Sequence, residues 1–116
     1  MNYNPPPVAV QFSALAEVEG AQFDKAYREI LRVPSMSAGL YILKAGAVDS
    51  QQPHHEDEMY YVVRGRGKFV AEFVKGSHHR DVCAGSVIFV AAEVEHRFYD
   101  ITEELAVLVF FAPAES

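Results

Sequence analysis

Two histidines and a run of acidic residues crowd into Pro53-His54-His55-Glu56-Asp57-Glu58, and the aromatic stretch Met59-Tyr60-Tyr61 follows at once. A second unit, from Gly85 to Asp100, ends in Glu93-Val94-Glu95-His96-Arg97-Phe98. Together the two units can give two imidazoles and one carboxylate to a single divalent ion. Imidazole nitrogen suits a borderline transition metal, and a carboxylate offsets part of its charge. Such a set leaves coordination positions open and suits iron(II) or a related ion. Side chains alternate along an extended chain, so positions two apart share a face. Gln52, His54 and Glu58 are separated by even steps, and Tyr60 and Val62 continue the series. If this segment is extended, all of them point into one cavity and His55 points away. His96 then has to arrive from another strand.

The elements that would hold these residues read as almost wholly β. Gly39–Leu43, Glu58–Val63, Lys68–Lys75, Arg80–Ala84, Val87–Ala91, Phe98–Asp100 and Leu105–Ala112 are short runs rich in β-branched, aromatic and aliphatic residues. Turn signals separate them: Arg64-Gly65-Arg66-Gly67 reads as a tight hairpin turn and Gly76-Ser77-His78-His79 as a second turn. Short strands at this spacing predict an all-β sandwich or barrel. Residues 1–20 form an N-terminal arm: Pro5-Pro6-Pro7, a short strand at Val8–Phe12, and one helical turn at Ser13–Val18 with Gly20 as its stop. Phe23–Val33 fits helix or strand, and Pro34 ends it either way. Residues 21–116 make the barrel domain.

The bulk properties narrow the function. One domain of 116 residues with 50% hydrophobic content can bury a core without disulfides, and the single Cys83 permits no internal bridge. A net charge of -6 argues against nucleic acid as a partner. No apolar run is long enough to span a bilayer, and the first residues lack the pattern of a secretory signal, so a cytoplasmic location is expected. Several features have plain readings. His78 and His79 read as solvated turn residues, and Cys83 as a small core residue. Phe69, Phe73, Phe89, Phe98 and Phe110 read as core or cavity wall. Of the tyrosines, Tyr60 reads as lining the barrel and Tyr61 as facing outward.

The two units resemble the two motifs of the cupin family, in particular its small single-domain members. The first motif is Gly, five residues, His-x-His, three residues, Glu, six residues, Gly. Gly46, His54, Glu58 and Gly65 fall at those spacings, and Gln52 stands in the place of the first His. The second is Gly, five residues, Pro-x-Gly, two residues, His, three residues, Asn. Gly85 and His96 match it, while Ala91, Glu93 and Asp100 replace Pro, Gly and Asn. The resemblance implies a double-stranded β-helix, or jelly-roll barrel. It implies a divalent metal (Fe, Mn, Zn or Ni) on His54, Glu58 and His96. Gln52 would be a weak fourth ligand, or would hydrogen-bond substrate or a metal-bound water, and Tyr60 would contact substrate. The expected function is an enzyme acting on a small oxygenated organic substrate, with dioxygenase chemistry first. Metal-assisted isomerisation or lyase chemistry comes next, and a non-catalytic ligand-binding or sensor role is the alternative. Edge strands of such a barrel need cover, so a homodimer is expected.

Overall fold

In the computed structural model, which describes residues 9–20, 25–50 and 53–116, one short helix precedes six strands. They are α1 (Leu15–Gly20), β1 (Tyr27–Val33), β2 (Met36–Leu43), β3 (Asp57–Phe73), β4 (Gly76–Cys83), β5 (Val87–Val90) and β6 (Glu95–Ala112). The strands pair antiparallel in the order β1-β2-β6-β3-β4, with β5 also on β3. The all-β jelly-roll expectation is met.

The organising element is a long ribbon. β3 and β6 pair from Asp57 opposite Ala112 to Glu72 opposite Glu95. Glu58 lies opposite Phe111 near one end, and His96 lies opposite Ala71 near the other. Strands rise about 3.3 Å per residue, so a straight ribbon would hold these ends roughly 40 Å apart. Yet Oε1 of Glu58 is 2.9 Å from Nε2 of His96. The ribbon is therefore doubled over, and its two halves face each other as layers. The register shifts between Val62 and Lys68 mark the corner. Bulges add twist and bend where a strand has to turn, so pairing survives the corner. Gly65 takes a φ of 100°, and a Cβ there would collide with the backbone of Glu104. Asp100 on β6 also takes a positive φ, 47°.

One half of the ribbon carries β2 and β5 on its flanks, and the other carries β4. Alternation then decides what faces inward. Glu58, Tyr60 and Val62 are buried while Met59 and Tyr61 are exposed, as expected for the two tyrosines. Tyr60, Val62, Phe69, Phe98, Val107 and Phe111 fill the space between the layers. Outside them, α1 buries none of its residues. It is held instead by Arg28, which donates 3.0 Å hydrogen bonds to the carbonyls of Val18 and Glu19, and by an Arg64–Glu19 ion pair. The guanidinium thus satisfies carbonyls that a helix C-terminus leaves open.

Several sequence expectations are corrected. Arg64-Gly65-Arg66-Gly67 is no hairpin turn: it lies within β3, and its glycines serve the corner of the doubled ribbon. The turn before β4 is at Val74–Lys75, so Gly76–His79 begins that strand. Phe98–Asp100 and Leu105–Ala112 are parts of one strand, because β3 pairs with both. Residues 9–12 form no strand, and Val8 lies outside the described residues. The helix runs to Gly20 rather than stopping before it. Cys83 is exposed because on β4 only Val82 turns inward. Phe73 and Phe89 also face outward. No helix among the described residues is long and apolar enough to cross a membrane.

Candidate metal centre

His54, Glu58 and His96 converge: each offers a ligand atom, and these atoms lie within 4.8 Å of one another. Glu58 comes from the start of β3, and His96 from the start of β6 in the facing layer. His54 does not stand on the strand. It precedes a bend at His55–Glu56, and β3 begins only at Asp57. The extended run expected from Gln52 to Glu58 is thus broken, and the bend turns the His54 ring inward. Gln52 lies outside the described residues.

The side chains of Glu58 and His96 are each 1% exposed. Oε1 of Glu58 forms an ion-pair contact with Nε2 of His96 at 2.9 Å, and among the described residues neither oxygen of Glu58 has a hydrogen-bond partner. A buried carboxylate left so is costly by several kcal/mol unless a cation meets it. His96 is oriented from behind: its Nδ1–H donates to the carbonyl of Val94 at 2.8 Å. That bond fixes the tautomer in which Nε2 carries the lone pair, the form a metal ligand needs. Burial pulls the His96 pKa down, but the Glu58 carboxylate and the Val94 carbonyl outweigh it, and the net direction is up. Without an ion, Glu58 thus favours a proton on Nε2. The orphaned carboxylate and the oriented imidazole fit a divalent transition ion.

Tyr60 belongs to this cluster. Its hydroxyl is 2.9 Å from Nε2 of His96, and its ring packs edge-on against Phe69, Phe98 and His96. His55 points away, as expected, and its Nδ1 meets Oε1 of Glu93 at 2.7 Å on the surface. That carboxylate raises the His55 pKa. Glu93 also explains how the turn before His96 survives without the family's glycine. It takes the left-handed φ, 70°, that a glycine would take, and its N–H donates to the carbonyl of His54 at 2.7 Å. The turn before one histidine thereby holds the backbone of the other.

Four residues around the centre escaped the sequence reading. Asp49 is buried, accepting a 2.7 Å hydrogen bond from the Tyr41 hydroxyl and a 2.9 Å bond from the N–H of Phe98. Burial, then the Asp49 carboxylate, push the Tyr41 pKa up; burial and Glu115 do the same for Tyr27, so both hydroxyls stay protonated. Among the described residues the buried Tyr27 hydroxyl has no hydrogen-bond partner. Glu115 places Oε2 3.1 Å from Nδ1 of His54. Burial, opposed by His54 and aided by Glu58 and Glu56, raises the Glu115 pKa. A cavity of about 200 Å³ opens beside His54, walled by Tyr27, Tyr41, Ser50, Val109, Phe111 and Glu115. No motif position names these residues: Tyr27 and Tyr41 come from β1 and β2, Asp49 from the segment between β2 and β3, and Glu115 from the segment after β6.

A doubled antiparallel ribbon enclosing a buried His-Glu-His cluster defines a small jelly-roll protein with a candidate metal site. The chain belongs to the cupin domain family, whose model matches residues 39–112. It is 49% identical over 100 residues to the uncharacterized protein SCO3923 of Streptomyces coelicolor, covering 86% of this chain and 91% of that one. Among solved structures it resembles TT1209 from Thermus thermophilus, with a TM-score of 0.73 at 18% identity over 90% of this chain and 99% of that one. It also resembles a variant of the Bacillus subtilis oxalate decarboxylase, with a TM-score of 0.70 at 22% identity over 79% of this chain. A third likeness is the DMSP lyase DddQ from Ruegeria pomeroyi, with a TM-score of 0.62 at 21% identity over 69% of this chain. The chain spans only 26% of the decarboxylase and 39% of the lyase. Likenesses at these identities concern the fold.

Proposed function

We propose that this cupin is a metal-dependent enzyme that holds one divalent transition ion on His54, Glu58 and His96 and acts on a small oxygenated organic substrate. The observation that carries this reading is the buried Glu58 carboxylate without a hydrogen-bond partner, facing two imidazoles. A bound ion would supply Lewis-acid polarisation of substrate oxygens and, if it is iron, access to dioxygen. Dioxygenase chemistry is the first choice among reactions, since two histidines and one carboxylate leave positions open for both substrate and oxygen. The remaining work falls to this chain's own groups. Glu58 offsets the charge of the ion. Tyr60 sets a hydroxyl within hydrogen-bond distance of His96 and can hand a proton to a substrate oxygen beside it. The aromatic wall of Phe69, Phe98 and Phe111 excludes water. Gln52, by its place in the motif, is proposed as a further contact for ion or substrate.

Tyr60 also supports lyase or isomerase chemistry, since a hydroxyl at the centre is a group that a proton-transfer step can use. Two fold neighbours are named as a lyase and a decarboxylase. The exposed outer face of β3 and β5, with Met59, Tyr61, Val87 and Phe89, favours a homodimer, which light scattering would test. The functional reading is tested by metal analysis of purified and reconstituted protein. Oxygen uptake with catechols, flavonols and β-diketones then follows. One equivalent of iron, manganese, zinc or nickel, lost in His96→Ala with the fold intact, is the expected result. A protein that takes up no stoichiometric ion even from excess metal would sink it. Metal binding without turnover of any substrate class would leave a ligand-binding or sensor cupin.

A further inference from the structure

Segment 113–116 does not run off the barrel after β6; it crosses back over the candidate centre. The N–H of Ala114 meets the carbonyl of Pro34 at 3.4 Å, and the N–H of Glu115 donates to Oγ of the fully buried Ser37 at 2.9 Å. Arg32 donates to the Glu115 carbonyl at 2.7 Å, and the N–H of Ser116 donates to Oε2 of the buried Glu56 at 3.3 Å. Four backbone ties in three residues leave little choice in where the Glu115 side chain goes. It enters the wall of the cavity beside His54 and places Oε2 3.1 Å from Nδ1 of that ring.

We propose that Glu115 is a positioning and specificity-determining residue: it orients His54 toward the ion and reserves the adjoining cavity for uncharged oxygen ligands. This rests on the metal-centre reading given above. A carboxylate 3.1 Å from Nδ1 favours, by charge, the tautomer that carries its proton there, which makes Nε2 the nitrogen with a lone pair to give. Carboxylate–histidine–metal relays of this kind commonly change metal affinity by ~10–100-fold when the carboxylate is removed. The second effect follows from charge. The described residues lining this cavity are Tyr27, Tyr41, Ser50, His54, Val109, Phe111 and Glu115, and none is a lysine or arginine. With the ion's two charges already matched by Glu58 and Glu115, a ligand carboxylate would bring an uncompensated negative charge into a poorly solvated space; Arg32, which binds the Glu115 carbonyl, is not among the residues lining the cavity. A ketone, hydroxyl or enol oxygen meets no such barrier. It also finds a donor in the cavity wall, since the buried Tyr27 hydroxyl has no partner among the described residues and its ring occupies the notch left by Gly39.

The test uses the full chain loaded with cobalt(II), whose visible spectrum reports the ligands of the ion. Native protein, Glu115→Gln and Glu115→Asp are titrated with hydroxyacetone as a neutral probe and acetate as a carboxylate probe. Circular dichroism confirms the fold of each. In native protein hydroxyacetone should perturb the spectrum at lower concentration than acetate. Glu115→Gln should bind cobalt at least ~10-fold more weakly, show a shifted spectrum, and bind acetate at least tenfold more tightly than native protein. Glu115→Asp should recover part of each property. Equal cobalt affinity, spectrum and acetate binding in native protein and Glu115→Gln would overturn the proposal while leaving the metal centre standing. Failure of the native chain to bind cobalt would remove both.

Discussion

The three candidate ligands are held in two different ways. Glu58 and His96 stand on paired strands in facing layers, 1% exposed, fixed by the same ribbon that makes the core. His54 stands on an irregular stretch before β3, 18% exposed, and is held by neighbours: its carbonyl by the N–H of Glu93, its ring by Glu115. The difference teaches where rigidity comes from at this site. Two ligands cannot move unless the barrel opens. The third can be adjusted one contact at a time, so it is where affinity and access are tuned.

The largest effect is expected where the strand-held pair is created. Gly65→Ala puts a Cβ into the Glu104 backbone at a positive φ, and should cost about 4 kcal/mol or prevent folding. Thermal unfolding would show it, and a near-native melting temperature would refute the doubled-ribbon account of the site. Next come the strand ligands themselves. His96→Ala leaves Glu58 buried and unanswered, and should cost ~3–5 kcal/mol in the metal-free protein while abolishing metal binding. Glu58→Gln should also abolish metal binding, yet leave the metal-free protein as stable or more so, because the buried charge is gone. If denaturant titrations show both variants equally destabilised, charge is not what the pair is about. His54→Ala sharpens the comparison from the other side. Metal affinity should fall sharply, but stability should change by no more than ~1 kcal/mol, as for a partly exposed residue outside the sheet.

Acidity separates the two holdings in another way. In the metal-free protein the His96 pKa is raised above its unfolded value, so its contribution to stability is present at low pH, below about 6.5. It is lost as pH rises through the higher folded value. An ion has to displace that proton, so metal affinity should climb with pH across the same interval. Calorimetry at several pH values in buffers of different ionisation enthalpy would count the proton released; a pH-independent affinity contradicts the assignment. The smallest effect belongs to Glu93→Gly. Glycine relieves the left-handed backbone but loses the exposed ion pair with His55, so the melting temperature should scarcely move and metal affinity should change by only a few-fold.

The same division governs how much could be read in the chain. Glu58, His96, Gly65 and the glycine frame were legible, because strand periodicity and motif spacing are properties of consecutive residues. The outward turn of His55 followed from the same frame. Arg64–Gly67 misled: glycines between apolar runs signal a turn, and only pairing with β6 shows that they serve a corner inside a continuous strand. Cys83, Phe73 and Phe89 misled because hydrophobic type says nothing about which face of an edge strand or which end of an inner strand is covered. Glu115, Asp49 and Tyr27 could not be read: Glu115 meets His54 from 61 residues away, Tyr27 lines its cavity from β1, and Asp49 acts through the backbone of Phe98, and no local pattern encodes such contacts.

The doubling of the β3–β6 ribbon also fixes when the site can exist. Glu58 and His96 belong to opposite ends of one pairing, and they meet only after the full ribbon has zipped and closed upon itself. Such distant pairings are late events in folding, because chain closure must precede any reward from them. A partly folded chain therefore offers no complete ligand set. Ion uptake would come last, as a clasp on a finished barrel rather than a seed for it.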